Sequence, residues 1–174
     1  MMGDLTPRAQ QALALSKRIA VEMKSNSVGT EHLLLGIVTL GQGVAVNALL
    51  RMGVDFVTLR SNIQEQSDKT KKQNKTSKTD AEIKHTPRLK KVIALAGKEA
   101  QELSHSYIGT EHLLLGILRD KESLASQVLS KLDVELDICR KEVLSEIDPH
   151  FEADDLETAS AGGSPNENSK SKSK

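Results

Sequence analysis

A Gly-Thr-Glu-His segment occurs twice in this chain of 174 residues and carries the clearest candidates for chemistry. The two segments comprise Gly29, Thr30, Glu31 and His32, and Gly109, Thr110, Glu111 and His112. A carboxylate can accept two parallel hydrogen bonds from a guanidinium group, and backbone N–H groups at a helix start can receive an anion. Two equivalent acidic helix starts therefore predict paired pockets for a cationic ligand, with arginine as the natural ligand type.

The same residues also have a purely structural interpretation, which stays open at this level. A glutamate in the first turn of a helix suits the helix dipole, and that effect alone would explain Glu31 and Glu111. Adjacent Glu and His side chains diverge by about 100° on a helix, so one pair cannot chelate a metal ion. A metal site formed across the copies by His32 and His112 is an alternative, but packing or hydrogen bonding at the helix start is the favoured role. We therefore predict no metal site.

Motifs typical of enzymes do not occur in the sequence. It contains neither a phosphate-binding GxxxxGK[S/T] loop nor an HExxH zinc motif. The one cysteine, Cys139, shares the apolar side of the last predicted helix with Leu136 and Val143, which favours a buried structural thiol over a nucleophile. We expect no catalytic residue, no cofactor and no enzymatic activity.

Composition narrows the class of protein further. The chain is 37% apolar and 2% aromatic, and its 24 basic residues balance 24 acidic ones. This balance argues against binding nucleic acid by bulk charge, and few rings are available to stack on bases. The longest apolar stretch, 33–40, is too short to span a bilayer, and no export signal opens the chain. We expect a cytoplasmic protein of packed helices with no membrane contact.

The acidic segment is part of a tandem duplication with an offset of 80 residues. Residues 6–38 and 86–118 are identical at 16 of 33 positions without a gap. The predicted copies are 1–63 and 86–151, separated by a polar linker at 64–85 and followed by a tail at 152–174 that we expect to be disordered. The net charge is +2 for the first copy (six basic, four acidic residues) and −2 for the second (nine basic, eleven acidic). A charged ligand should therefore bind the two copies with different affinities.

Each copy is predicted to form four short helices, so the fold class is all-α, with about eight helices and pseudo-twofold symmetry. Thr6 and Thr86 precede prolines, which is the pattern of a helix N-cap with proline at the first helical position. The Leu-Leu-Leu-Gly-Ile run is apolar on nearly all sides and predicts a buried central helix. A third helix is predicted at 44–52 and 124–132, and a fourth at 55–63 and 135–147.

The paired Thr-Pro-Arg starts and the two Gly-Thr-Glu-His-Leu-Leu-Leu-Gly segments resemble the Clp repeat domain, the N-terminal domain of Clp AAA+ unfoldases, and its ClpC type in particular. The resemblance covers about residues 4–148. It implies an all-α double domain that catalyses nothing and docks substrate proteins or adaptors for the ATPase rings that feed the Clp peptidase. In ClpC-type members the Glu of each segment recognises phosphorylated arginine, which implies that role for Glu31 and Glu111.

Two departures from the family pattern shape the functional hypotheses. The phosphate-binding loops of the ATPase rings do not occur in this sequence, so a stand-alone binding protein of the Clp proteolysis system is expected, with an N-terminal fragment of a ClpC-type unfoldase as the alternative. The linker at 64–85 is longer and more polar than the family's usual connection, which puts the relation of the two halves in question.

Three hypotheses follow for the partner. The leading one is a substrate or adaptor protein bound through Glu31 and Glu111, including proteins marked by phosphoarginine. A second is an adaptor or a Clp unfoldase bound through a helical surface without phosphoarginine. A third is nucleic acid bound by the Lys-rich stretch 69–78, which the balanced charge disfavours.

Overall fold

The computed structural model describes residues 4–70 and 83–147, and within them it contains the eight helices expected from the duplication. The helices of the first half are α1 (Pro7–Glu22), α2 (Thr30–Leu40), α3 (Val44–Arg51) and α4 (Phe56–Thr70). Those of the second half are α5 (Pro87–Glu102), α6 (Thr110–Arg119), α7 (Leu124–Lys131) and α8 (Leu136–Ile147). Four two-residue strands accompany them: β1 (Asp4–Leu5), β2 (Ser27–Val28), β3 (Lys84–His85) and β4 (Tyr107–Ile108). The predicted all-α class is confirmed, and the predicted tail at 152–174 lies outside the described residues.

Threonine hydroxyl groups determine where the first helix of each half begins. Thr6 Oγ1 accepts a hydrogen bond from the Ala9 N–H at 3.1 Å, and Thr86 Oγ1 accepts one from the Leu89 N–H at 3.0 Å. The proline that follows each threonine lacks an N–H at a position where the helix offers no partner. The predicted N-caps are confirmed.

The Leu-rich helices α2 and α6 lie buried at the centre of the fold, as predicted. A glycine in each lets the preceding long helix approach closely. A Cβ atom at Gly36 would lie 2.5 Å from the carbonyl oxygen of Ala12 in α1, and one at Gly116 would lie 2.6 Å from that of Val92 in α5. Since both obstacles are backbone atoms, the close helix pairs depend on glycine at these two positions.

The two halves are interlocked. β1 pairs in parallel with β4, and β2 pairs in parallel with β3, so each small sheet takes one strand from each half. The fourth helix of each half packs against the third helix of the other, because α4 contacts α7 and α8 contacts α3. Buried apolar residues of both halves form one core. Neither repeat could bury its own fourth helix in the same way alone.

The region between the repeats differs from the prediction. α4 continues past Ile63 to Thr70, and β3 occupies residues at the other end of the predicted linker, so the expected helix end near 63 is wrong. Ile63 and Ser67 are both buried, one helical turn apart, because α4 packs against α7. The polar residues after Ile63 include good helix formers, and this packing keeps them helical. Residues 71–82 of the predicted linker lie outside the described residues.

The apolar residues are gathered in the core. Within residues 4–70 and 83–147, no single helix is long and apolar enough to cross a membrane; α2 and α3 meet that criterion only jointly, across a bend of 90°.

Cys139 of α8 is fully buried in this core, and burial raises the pKa of its thiol to about 12. This burial confirms the prediction of a buried thiol, and the raised pKa keeps the thiol protonated near neutral pH.

Candidate functional site

The two histidines of the duplicated segment cap the central helices. His32 Nδ1 accepts a hydrogen bond from the Gly29 N–H at 2.9 Å, and His112 Nδ1 accepts one from the Gly109 N–H at 2.9 Å. Each bond satisfies a backbone donor that the helix itself leaves without a partner. The predicted role of a hydrogen-bonded histidine at the helix start is confirmed. The part of the chain that the structure describes holds no group of three or more side chains able to bind a metal ion.

Each glutamate carboxylate folds back over the glycine that precedes its helix. A Cβ atom at Gly29 would lie 2.5 Å from Oε1 of Glu31, and one at Gly109 would lie 2.5 Å from Oε1 of Glu111. Gly109 has φ −101°, which any residue adopts. Glycine is needed there because a side chain would collide with the Glu111 carboxylate, and not because of the backbone conformation. Both acids lie in the first turn of their helices, as predicted.

A cluster of three rings lies at the start of α6 in the second half. His105 stacks on Tyr107 with ring centroids 5.3 Å apart, and both rings contact the His112 ring edge-on at 4.9 and 5.2 Å. His112 Nδ1 is an acceptor, so its proton lies on Nε2, which donates to His105 Nδ1 at 2.7 Å. Burial, with the neighbouring His105, lowers the pKa of His112 to about 4. The first half carries Ser25 in place of His105 and so lacks this arrangement.

Glu111 is buried, with 5% of its surface exposed, whereas Glu31 is partly exposed. The Tyr107 hydroxyl faces the Glu111 carboxylate and lowers its pKa, and the first half has Ser27 at the equivalent position. Burial raises the pKa of Glu111, while its own backbone N–H, Tyr107 and the positive charge of Arg8 act in the opposite direction. The two duplicated acids therefore stand in different electrostatic surroundings.

A cleft of about 520 Å³ lies beside Glu111 and is built from both halves. Its lining residues are Thr6, Pro7, Arg8, Gln11, Gln42, Val44, Thr110 and Glu111. The start of α1 brings Arg8, and the start of α6 brings Glu111. Among residues 4–70 and 83–147, Arg8 forms no ion pair, although its charge acts on Glu111 across the cleft. The cleft therefore presents one cation and one anion that do not neutralise each other by direct contact.

The equivalent arginine of the second half is paired inside the protein. Arg88 Nη1 donates to both oxygens of the Asp120 carboxylate, at 2.9 and 2.8 Å, and Arg88 Nη2 lies 3.4 Å from Oε1 of Glu122. Asp120 is 4% exposed, and these bonds raise the pKa of Arg88. At the offset of 80, the first half has Leu40 and Gln42 in place of the two acids, so Arg8 meets no such carboxylates.

The structure groups each predicted glutamate with its own glycine and histidine, and it adds residues that the sequence reasoning did not assign to the site. Arg8 belongs to the duplicated Thr-Pro-Arg start, so its recurrence was a usable signal. Tyr107 and Asp120 gave no such signal, because each is a position where the two copies differ.

Proteins of similar sequence match most of this chain. Chaperone protein ClpB of Oceanobacillus iheyensis is 45% identical over 144 residues, which are 83% of this chain and 17% of that protein. Negative regulator of genetic competence ClpC/MecB of Bacillus subtilis is 41% identical over 144 residues, with the same coverage of 83% and 17%. The chain thus spans 17% of the length of these relatives.

Similarity of fold extends to a crystal structure of the N-terminal domain of the caseinolytic protease associated chaperone ClpD from Arabidopsis thaliana. It matches with a TM-score of 0.65 at 21% identity, over 82% of this chain and 94% of that one. The family model described as the Clp repeat (R) N-terminal domain matches residues 4–132 and 84–161. These matches together span nearly all of the described helices, and the chain belongs to the Clp repeat N-terminal domain family.

Proposed function

We propose that this chain is a non-catalytic protein-binding module of the Clp proteolysis system, which binds substrates or adaptors through guanidinium groups, including those of phosphoarginine. Glu31 and Glu111 are the proposed acceptors. The expected partners are proteins present with it in the cytoplasm, or a Clp unfoldase itself. No nucleic acid and no cofactor is part of the proposal.

The observation that carries the proposal is the cleft at the start of α6. Glu111 lines it from one half and Arg8 from the other, and the two charges are not directly paired. A phosphoarginine side chain carries a guanidinium beside a phosphate. Its guanidinium would pair with the Glu111 carboxylate, and its phosphate would lie near Arg8 and the N–H groups of α6. A ligand with both charges therefore fits the cleft better than a plain cation or a plain anion.

Titration of the protein with phosphoarginine tests this function. We expect a Glu31→Ala/Glu111→Ala double variant to lose binding. A Glu22→Ala/Glu135→Ala double variant, which removes one exposed acid from each half and changes the net charge equally, should bind as the wild type does. Equal affinity of the wild type and the Glu31→Ala/Glu111→Ala variant would refute the proposed site.

A second candidate function is docking of an adaptor or an unfoldase through a helical surface that ignores phosphoarginine. It is favoured by three large apolar side chains that remain exposed, namely Leu50, Val57 and Ile138, at 55%, 72% and 48%. A pull-down that recovers Clp subunits equally from the wild type and the Glu31→Ala/Glu111→Ala variant would support this function over the first.

A further inference from the structure

We infer that the two duplicated sites are functionally unequal: the cleft at Glu111 is open to a ligand that carries both a cation and an anion, whereas its counterpart near Arg88 is occupied by the protein's own carboxylates. This inference rests on the proposed function and narrows it: of the two proposed acceptors, Glu111 binds the ligand in this chain and Glu31 does not, so the stoichiometry is one ligand per chain. It also assigns Arg8 as the residue that binds the anionic part of the ligand.

Arg8 can receive an anion because the neighbouring residues of the first half carry no carboxylate that would pair with it. Gln11 and Gln42 line the cleft with it and carry no charge, and Leu40 offers no carboxylate. The Arg8 side chain also passes close to the backbone of α3, since a Cβ atom at Gly43 would lie 2.9 Å from Arg8 Cδ. Glu111 is the one acid among the lining residues and forms no direct ion pair with Arg8, so an incoming phosphate would meet a guanidinium that no carboxylate already holds.

The counterpart has the same framework but the opposite charge pattern. The positions equivalent to the cleft lining are Thr86, Pro87, Arg88, Lys91, Glu122, Leu124, Thr30 and Glu31. In both halves the threonine that opens the central helix lies against the start of the other half's third helix. Thr30 Oγ1 accepts a hydrogen bond from the Ala125 N–H at 3.4 Å, and Thr110 Oγ1 lies near Gly43. The cations of the counterpart, however, are already paired.

Asp120 holds the position that a ligand phosphate would need. It receives two hydrogen bonds from Arg88 and lies 3.9 Å from Lys91 Nζ. A ligand would have to displace a buried carboxylate and leave its charge without partners, which is costly. Glu122 adds a second negative charge 3.4 Å from Arg88 and would repel a phosphate.

The loops between the second and third helices explain how the two halves diverged. Gly41 and Gly43 have φ 71° and 118° in the first half, conformations that favour glycine. In the second half Ser123 replaces Gly43 with φ −68°, caps α7 by accepting from the Ser126 N–H at 3.1 Å, and donates to the Asp120 carbonyl oxygen at 2.9 Å. The altered loop therefore turns Asp120 inward, where it reaches Arg88.

Calorimetric titration of the full chain with free phosphoarginine tests the inequality. The wild type should bind one equivalent. Arg8→Ala should weaken binding at least tenfold, while the matched Arg88→Ala should change it less than twofold. Asp120→Leu/Glu122→Gln, which copies Leu40 and Gln42 of the first half, should raise the stoichiometry to two. Circular dichroism of each variant establishes that it is folded, and the Arg8→Ala comparison does not require the double variant to fold.

The outcomes separate the inference from the function on which it rests. Two equivalents bound by the wild type, or equal losses for Arg8→Ala and Arg88→Ala, would overturn the inequality and leave the phosphoarginine function intact. No binding of phosphoarginine by the wild type would overturn both. One equivalent in the wild type with selective loss for Arg8→Ala supports both.

Discussion

Replacing Gly116 by alanine tests whether the close contact of α5 and α6 stabilises the fold. The new Cβ atom would lie 2.6 Å from the Val92 carbonyl oxygen and 2.9 Å from the Ala96 nitrogen. Ordinary van der Waals contact needs a separation of roughly 3.4 Å, so the two helices must move apart by about 0.8 Å. A gap of that size removes about a quarter to a half of the dispersion energy of each affected contact. Both obstacles are main-chain atoms, which cannot rotate away.

The net effect combines two opposing contributions. Overpacking of this kind costs about 3 kcal/mol, at the upper end of its usual range, because the obstacles are rigid. Alanine recovers about 1 kcal/mol through its higher helix propensity. We therefore expect the free energy of unfolding to fall by about 2 kcal/mol, which would lower the urea midpoint by about 1 M for a domain of this size.

Equilibrium urea denaturation followed by circular dichroism measures this change. Gly36→Ala should behave similarly, since its Cβ atom would lie 2.5 Å from the Ala12 carbonyl oxygen. Ser61→Ala, at an exposed position of α4, is the control for helix propensity and should shift the free energy of unfolding by no more than about 0.5 kcal/mol. An unchanged or raised midpoint for Gly116→Ala would show instead that helix propensity outweighs the steric contact between α5 and α6.

Three further changes have defined outcomes. Gly109→Ala should leave the protein folded but displace the Glu111 carboxylate, which weakens phosphoarginine binding by about tenfold in a titration. Glu99→Ala removes a fully buried carboxylate that lies 3.0 Å from Arg119 Nη1 and 2.8 Å from Arg140 Nη2, so urea unfolding should show a loss of about 3 kcal/mol. The pKa of His112 is about 4 in the folded protein against 6.5 in the unfolded chain. The contribution of His112 to stability should therefore be present above pH 6.5 and fall by about 3 kcal/mol as the pH drops to 4, which urea unfolding at each pH would measure.

Matched variants make each of these results interpretable. Glu102→Ala removes an exposed partner of Arg119 and should cost no more than about 0.5 kcal/mol, so an equal loss for Glu99→Ala would contradict the role of the buried acid. A His112→Gln variant should flatten the pH dependence, because protonation of His112 breaks the bond from the Gly109 N–H; a profile that stays as steep would assign it to other groups. Unchanged phosphoarginine affinity in Gly109→Ala would mean that the carboxylate position does not matter.

The helices and their starts were predictable because their signals are local. Threonine before proline marks the start of α1 and α5, and the duplicated Leu-rich run marks the buried centre of each half. The end of α4 was not predictable from local signals. Its last turns are polar, and they remain helical because Ser67 is buried where α4 packs on α7 of the other half.

The glutamates of the candidate site were also predictable, since Glu31 and Glu111 recur with identical neighbours in the sequence. Arg8 was visible as a repeated residue without an assigned role. Its distinction from Arg88 depends on Asp120, a residue far along the chain that the first half replaces by Leu40. A contact between residues 32 positions apart leaves no periodic pattern, so sequence reasoning could not find it.

The duplication and the repeated glutamates are visible in the sequence as recurring residues. The all-α class and the capped helix starts follow from residue type and spacing within a few turns of helix. Tertiary contacts, which no local pattern encodes, make each half pair its strands and pack its fourth helix with the other half, and they build the cleft at Glu111 from both halves. They also decide which arginine faces the cleft and which is held by Asp120. Packing and charge pairing depend on which distant surfaces meet, and two repeats of the same fold present different charges at equivalent positions.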